Sequence, residues 1–415
     1  MNAEILCVGT ELLLGDIVNT NAAYIARELA GAGINVYHQS VVGDNPGRLK
    51  ESLLAALTQN DCVITTGGLG PTYDDLTKET VAELFGRKIV TDQPSLAYIE
   101  KFFQKTGRPM TENNKKQALM PEGATVFHNE NGTAPGLAVE DHGKIVVLLP
   151  GPPREMIPMF RDQVLPYLEK FSDHVLASRG IHIFGVGESA VEQELRELMV
   201  SQTNPTVAPY AKDGEVLLRV TASAATREEA LRLTEPTVEK ILKKYGEHVY
   251  GVDIDSLQAA VVQEYRAKKL TLATAESCTG GLVSKRITEI PGASEIFLCG
   301  LCTYSNEMKE RLLGVSHQTL EQYGAVSEQT AREMARGVRL ASGAAVGVST
   351  TGIAGPGGGS AEKPVGLVYV GIDSAAYSKV IRLTLGRGYK EEREYIRYVA
   401  SSHALNLALK AAKKK

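Results

Sequence analysis

Along the first 170 residues short apolar runs alternate with stretches in which apolar residues recur at helical spacing. The pattern predicts strands over residues 5–8, 34–42 and 62–66, helices over 21–30 and 47–57, and a further strand over 145–149. Two glycine and proline turns follow strands: Gly67-Gly68-Leu69-Gly70-Pro71 and Pro150-Gly151-Pro152-Pro153. A helix is expected from about residue 74 to 85, closed by Gly86. Strands alternating with helices imply a mostly parallel sheet covered on both faces. Ligands of such sheets bind at the carboxyl ends of the strands, where these turns lie.

The rhythm changes over residues 171–252. Two strands (182–186, 216–221) and two amphipathic helices (189–199, 227–245) suggest a small α+β connector without a cluster of reactive groups, suited to dimerisation or positioning. Residues 251–255 read as a linker and 256–268 as a helix. A third unit then fills 253–415: a strand near 270–273, the turn Ala275-Glu276-Ser277-Cys278-Thr279-Gly280-Gly281, a helix over 282–290 and a strand over 296–304. Helices follow, then a strand over 345–350, a glycine loop, strands over 365–372 and 379–385, and a long terminal helix. The expected organisation is therefore three α/β or α+β domains, 1–170, 171–252 and 253–415.

Composition narrows the function class. A chain of 415 residues with 43% hydrophobic and 23% charged residues has the make-up of a soluble globular protein of several domains. Its net charge of −4 gives no general field for nucleic acid or anionic membrane. Lys410, Lys413, Lys414 and Lys415 read as a solvated helix end. No charged leader precedes an apolar segment and no apolar run approaches the length of a membrane span, so a cytoplasmic location is expected. Five cysteines fit a reducing compartment. Cys299 and Cys302 form a CxxC without a second pair, which reads better as two core thiols than as a zinc or redox site.

Three polar clusters in the last unit sit at predicted strand ends: the Ser277 turn, Tyr304-Ser305-Asn306-Glu307-Met308-Lys309, and Thr350 to Gly359. In a parallel sheet they would converge on one pocket. A small, hydroxyl-rich turn opening a helix can hold a nucleophile beside backbone oxyanion donors. Ser277 also fits a plain helix N-cap, and Cys278 is intrinsically the better nucleophile. Taken alone, Lys309 reads as a surface lysine and Tyr304 as a half-buried strand residue. In the first unit the run Thr65 to Lys78 places glycines and a helix start together, which favours phosphate. Asp74 and Asp75 suit either a hard divalent cation or a capping arrangement with Thr72, and Lys78 suits a further phosphate oxygen. The Gly-Lys-Ser/Thr ending of a P-loop is missing.

The last unit resembles the CinA C-terminal family, the nicotinamide mononucleotide deamidases. The matching residues are 275–281, Thr303-Tyr304-Ser305-Asn306, Tyr323-Gly324-Ala325-Val326-Ser327, Thr351-Gly352-Ile353-Ala354-Gly355-Pro356 and Lys363-Pro364-Val365-Gly366. The resemblance implies hydrolysis of the nicotinamide carboxamide to the acid with release of ammonia and no metal. Under that reading Ser277 is the nucleophile, Lys309 the base, Tyr304 a proton relay or orienting group, and the N–H groups from Cys278 to Gly280 the oxyanion hole. Thr351 and the loop after it, with Gly352, Ala354 and Gly355, would hold the ribose phosphate or carboxamide. Glu276, Cys278, Thr279, Gly280, Gly281 and Asn306 would complete the substrate site. The family's Gly-Asp-Arg turn is replaced by Gly386-Arg387-Gly388, so Arg393 and Arg397 fit the phosphate better than Arg387.

The first unit resembles the MoaB/MogA-like molybdopterin-binding fold in its CinA version. The resemblance rests on Gly9 to Gly15, Val42-Gly43-Asp44-Asn45, the Gly67 motif, Asn114 to Ala118, Asn131 to Gly136 and Pro150 to Met156. It implies metal-dependent cleavage of the pyrophosphate of ADP-ribose, with magnesium or a similar divalent ion at Asp74 and Asp75 and potassium assisting. Pterin binding by a silent or oligomerising module is the rival reading, and a competence or DNA-damage accessory working through protein partners is a third. Thr10, Glu11, Asn21 and Asp44 would share a nucleotide pocket with Gly67, Gly68, Gly70 and Lys78. The expected partners are the two nucleotides and a second copy of the chain, without direct nucleic-acid binding.

Overall fold

The computed structural model describes residues 1–171 and 175–414. The chain divides into two compact units, residues 1–178 with 221–233, and residues 179–220 with 234–415.

Strands of the first part are β1 (Asn2–Val8), β2 (Asn35–Val42), β3 (Cys62–Thr66), β4 (Ile89–Thr91), β5 (Leu119–Pro121), β6 (Thr125–Phe127), β7 (Gly136–Asp141) and β8 (Lys144–Leu149). The main sheet runs β2-β1-β3-β8-β7-β6. Its first four strands are parallel, while β7 and β6 are added antiparallel. Side chains alternate between two cores. Ile5, Cys7, Ile64, Val147 and Leu149 meet the helices Thr20–Gly31 and Pro153–Met159. Leu6, Val8, Val63, Val146 and Leu148 meet Pro46–Gln59 and Thr77–Leu84. Burial on both faces explains the continuous apolar runs of the central strands. The helices start where the side chains stop them. Asn19 accepts from the Ala22 N–H at 3.1 Å, and Asn45 from the Arg48 N–H at 3.0 Å with Pro46 following.

The sequence pattern missed β7, the helix Gln93–Thr106 and the β4/β5 ribbon. It also began one helix too early. That helix is Thr77–Leu84, preceded by Leu76 with no side-chain cap, so Asp74 and Asp75 stand in a free turn and do not cap it.

The connector strands are β9 (Val175–Phe184), β10 (Thr206–Lys212), β11 (Glu215–Ala224) and β12 (Val249–Val252), in the order β10-β11-β9-β12. Ile181, Ile183, Val216, Leu218 and Val220 pack with Val191 and Leu195 of Glu188–Ser201 and Ile241 of Arg227–Tyr245. The expected linker starts inside β12.

The last part contains β13 (Leu272–Glu276), β14 (Phe297–Cys302), β15 (Val346–Gly352), β16 (Leu367–Ser374) and β17 (Ser378–Thr384), in the order β14-β13-β15-β16-β17. Strand β13 is parallel to both neighbours, and β16 and β17 are added antiparallel. Helices Leu257–Ala267 and Arg393–Lys413 cover one face and Glu328–Ser342 the other. Lys415 lies outside the described residues. The two CxxC thiols are not core residues. They lie three apart on edge strand β14, hence on opposite faces, with Cys299 half-buried and Cys302 exposed.

Candidate functional site

Two groups of strand ends gather polar residues. At the end of β3 the chain turns through Gly67 (φ 109°) and Gly68 (φ 67°). A Cβ on Gly67 would lie 2.0 Å from the Val8 carbonyl oxygen, so only glycine lets the turn settle against β1. The resulting pocket, about 460 Å³, is lined by Gly67, Gly68 and Gly70, by Gln117, Thr133 and Ala134, and by the carboxylates of Glu11, Asp44, Asp74, Asp75 and Glu155.

Asp74 and Asp75 close on the same hydroxyl. Thr72 Oγ1 contacts Asp74 Oδ1 and Asp75 Oδ2, and the Thr72 N–H donates to Asp75 at 3.0 Å. One hydroxyl proton serves two carboxylates, which leaves negative charge uncompensated. Hydrogen bonding from Thr72 holds the Asp74 carboxyl below its ordinary range. A hard divalent cation that uses one or two carboxylates and fills its shell with phosphate and water fits this pair. Among the described residues no group of three or more histidine, cysteine or carboxylate side chains could hold a metal unaided.

Other expected residues take different places. Lys78 is 2% exposed and its Nζ donates to the carbonyls of Lys116 (3.0 Å) and Gln117 (2.9 Å), so it is a buried prop and does not line the pocket. Burial lowers its pKa to about 8. The cation that reaches the turn is Lys116, which donates to the carbonyls of Thr72 (3.0 Å) and Asp75 (2.6 Å). Thr10 and Asp44 lock each other: the Thr10 N–H donates to Asp44 at 2.9 Å, and the Asp44 N–H to Thr10 Oγ1 at 3.3 Å. Asn21 lines an adjoining pocket of about 300 Å³. Sequence reasoning quoted the segments holding Lys116, Gln117 and Glu155 without assigning them roles.

In the other group, Glu276 at the end of β13 pairs with Cys302 on one side and Thr350 on the other. The Ser277, Tyr304 and Thr351 strand ends therefore do lie side by side. The Ser277 N–H donates to the Thr350 carbonyl at 2.9 Å, and the Thr303 N–H to the Glu276 carbonyl at 2.9 Å. Gly281, in the left-handed conformation, is the N-cap of helix Leu282–Thr288, so Ser277 is not a cap. Its side chain stands at the turn without that duty, 9% exposed.

Glu276 is the organiser of this turn. Its Oε2 accepts from Thr279 Oγ1 (2.6 Å) and the Val283 N–H (3.0 Å), and its Oε1 from the Ser284 N–H (2.8 Å) and hydroxyl (2.7 Å). Thr350 and Thr279 share a further bond of 2.7 Å. Glu276 and Thr279 are thus internal supports; neither side chain is free for substrate. Thr351 is similarly committed, since its hydroxyl donates to the Ala325 carbonyl at 2.6 Å. Gly280 is withdrawn from the expected oxyanion donors because its N–H donates to the Ser277 carbonyl at 3.1 Å.

Lys309 is 1% exposed and donates to the carbonyls of Thr303 (2.9 Å) and Tyr304 (3.1 Å). Two neutral acceptors use two of its three protons, and burial lowers its pKa. Cys278 is buried, which pushes its thiol up to about 12 and disfavours the thiolate. Tyr304 is 64% exposed, and its hydroxyl faces Arg393 Nη2 at 3.3 Å, with no bond to Ser277. Asn306 opens the helix Asn306–Leu313 on the exposed side, behind the Ser305 cap. Arg393 Nη1 donates to the Gly355 carbonyl (2.7 Å) and Arg397 Nη2 to the Thr279 carbonyl (2.8 Å), tying both guanidiniums to the turns. Arg387 lies over the Tyr395 ring at 3.8 Å. Gly352 ends β15, and Ala354 and Gly355 stand at the start of the loop after it.

Residues 254–412 match the family described as the CinA C-terminal domain, residues 4–170 the "Probable molybdopterin binding domain", and residues 178–251 the damage-inducible protein CinA KH domain. A competence-damage inducible protein of Clostridium acetobutylicum is 55% identical over 90% of both chains. A CinA-like protein of Kosmotoga olearia is 50% identical over 99% of both. A solved competence/damage inducible protein from Agrobacterium tumefaciens is 41% identical, covering 38% of this chain and 93% of its own, with a TM-score of 0.36. The KH match was not legible in the connector, whose glycines fall at 180, 185, 187, 214, 246 and 251. None of these makes the Gly-x-x-Gly by which KH modules clamp a nucleic-acid backbone.

Proposed function

The chain belongs to the CinA family, and from that premise we propose that its last domain hydrolyses nicotinamide mononucleotide to nicotinate mononucleotide and ammonia. The observation that carries this reading is the placing of a serine relieved of capping at the end of β13, near the turn whose carbonyls hold a buried lysine. A neutral Lys309 amine takes the Ser277 proton as Oγ attacks the carboxamide carbon. The oxyanion rests on backbone N–H groups of the turn. The Lys309 ammonium so formed returns that proton to the carboxamide nitrogen as the C–N bond breaks and ammonia leaves, and water then hydrolyses the acyl-serine to the acid. Arg393 and Arg397 offer their remaining N–H donors to the substrate phosphate. Cys278, buried and protonated, serves as packing.

The first domain supports a second activity, cleavage of the pyrophosphate of ADP-ribose. Asp74 and Asp75 would hold a divalent ion, which when bound neutralises phosphate charge. Potassium is a further candidate ion. Gly67, Gly68 and Gly70 let the phosphates approach the backbone, and Lys116 steadies the turn. Both substrates are breakdown products of NAD, which gives the fusion a salvage logic. We further propose a cytoplasmic homodimer that binds no nucleic acid directly.

Ammonia release from nicotinamide mononucleotide tests the first claim. The native chain and Cys278→Ala are expected to turn over, and Ser277→Ala to lose about a thousandfold or more in kcat/KM. A silent native chain, or an active Ser277→Ala, sinks it.

A further inference from the structure

A pocket of about 630 Å³ opens between the helices Leu282–Thr288 and Arg393–Lys413 and the β10–β11 turn at Asp213. Ser277, Tyr304, Lys309 and Thr351 do not line it. Its floor is Arg286, which is 4% exposed. Nη1 donates to the hydroxyls of Ser401 (2.8 Å) and Ser402 (2.7 Å), and Nη2 to Gln258 Oε1 (3.0 Å). All three acceptors are neutral. Burial opposes the guanidinium charge, and Glu215 and Glu289 offset that only from beyond ion-pair distance. The Tyr398 ring, 4.7 Å from Cζ, fixes the group in place. With three of five N–H groups spent, Nε–H and one Nη2–H remain for an anion. A buried charge in that state is costly until an anion completes it.

Arg397 stands beside it, its Nη2 again on a neutral acceptor, the Thr279 carbonyl at 2.8 Å. The mouth of the pocket has the opposite sign. Asp213, Glu391 and Glu394 are exposed there, and the one lysine among them, Lys285, is paired with Glu289. Tyr395 and Tyr398 add half-buried aromatic walls. Guanidiniums at the floor suit phosphate, whereas carboxylates beside tyrosine rings suit a flat cation. The layout therefore asks for one molecule that carries both.

We propose that this pocket binds the oxidised nicotinamide dinucleotide NAD+, with its pyrophosphate on Arg286 and Arg397 and its pyridinium ring beside Tyr395 and the carboxylates of Glu391 and Glu394. The volume exceeds the 460 Å³ or so of the pocket read for ADP-ribose, so a dinucleotide has room. The choice of nicotinamide among flat cations rests on the salvage reading of the chain. NAD+ is held here as a ligand, away from the Ser277 hydroxyl, and no bond in it is broken.

The test is calorimetry on the full chain, comparing NAD+ with NADH, which keeps the size and the phosphates but loses the ring charge. EDTA is present to withhold a divalent ion from the Gly67 pocket. The native chain should bind NAD+ at least about tenfold more tightly than NADH. Arg286→Met should weaken NAD+ by about tenfold or more. Glu391→Gln with Glu394→Gln, both on the exposed rim, should bring the two dinucleotides within about twofold of each other. Equal binding of NAD+ and NADH by the native chain overturns the proposal, and that comparison stands even if Arg286→Met does not fold. A preference that survives the paired rim change, or NAD+ binding unaltered in Arg286→Met, overturns it as well by placing the ligand elsewhere. Ammonia release is measured beside it. Preference for NAD+ without ammonia release keeps this pocket and removes the deamidase, whereas ammonia release without that preference removes this pocket alone.

Discussion

The turns after β3 and β13 occupy the same place, the carboxyl end of a parallel strand in a two-faced sheet, yet they use their polar residues in opposite ways. At β13 the carboxylate of Glu276 is spent inward on four donors, and the threonines beside it bond one another or the backbone. At β3 the carboxylates of Asp74 and Asp75 face the pocket and share one hydroxyl, so charge is left for something else to balance. The closed β13 turn satisfies its own polar groups, whereas the open β3 turn leaves carboxylate charge unbalanced at the pocket.

Removing the proposed base from the closed turn should give the largest effect. Lys309→Met keeps most of the buried volume and is expected to cost about a thousandfold in kcat/KM for ammonia release. The native pH profile provides a second readout. As the proposed base Lys309 acts only when neutral, so the rate should fall about tenfold per pH unit below its pKa, and that pKa should lie below the ordinary lysine value because the amine is buried. A profile governed by a group at the ordinary lysine value would contradict the assignment.

Metal removal separates the two turns next. Chelation with EDTA should abolish ADP-ribose cleavage and leave ammonia release unchanged, with magnesium restoring the first. Loss of both activities together would mean that the closed turn also depends on the ion.

Stability draws the same line. Glu276→Ala strands the Val283 and Ser284 N–H groups and is expected to cost about 2–4 kcal/mol in urea unfolding. Asp74→Asn with Asp75→Asn relieves two carboxylates crowded on one hydroxyl, so its midpoint should stay or rise while metal-dependent turnover falls. Equal destabilisation by the two changes would erase the contrast between a closed and an open turn.

The glycine-driven parts of both sites were legible in the sequence because Gly67, Gly68, Gly280 and Gly281 mark backbone that only glycine adopts easily, and that signal is local. The order of strands and helices was legible for the same reason, since burial on two faces writes itself into hydrophobic spacing. Side-chain direction was not. Glu276 looked like a substrate ligand because nothing local shows that its two oxygens would meet the next helix start. Lys78 looked like a phosphate ligand because its real partners, the carbonyls of 116 and 117, lie 38 and 39 residues away. Thr351 was misjudged alike, its hydroxyl being taken by Ala325 across the site. Strand β7 was lost because it is buried on both faces without alternation and its apolar run, residues 137–139, is short, ending at Glu140 and Asp141.

The smallest expected effect comes from Lys78, the prop beneath the open turn. Its ammonium is desolvated in the folded chain, which lowers its pKa to about 8, while an unfolded lysine titrates near its ordinary 10.5. Between those values the unfolded chain binds the extra proton. Stability of the first domain should therefore increase as pH rises from about 8 towards 10.5, by on the order of 1–3 kcal/mol, and be flat in this respect below. Lys78→Met removes the titrating group, so its stability should lose that upward slope. It also removes the donor that gathers the carbonyls of Lys116 and Gln117, the second of which lines the pocket. ADP-ribose KM should then rise several-fold with ammonia release untouched, because the prop serves only the open turn. A Lys78→Met chain that keeps both the slope and the KM would show that the pocket wall is held by its own packing, and the open turn would then be more rigid than its unbalanced charges suggest.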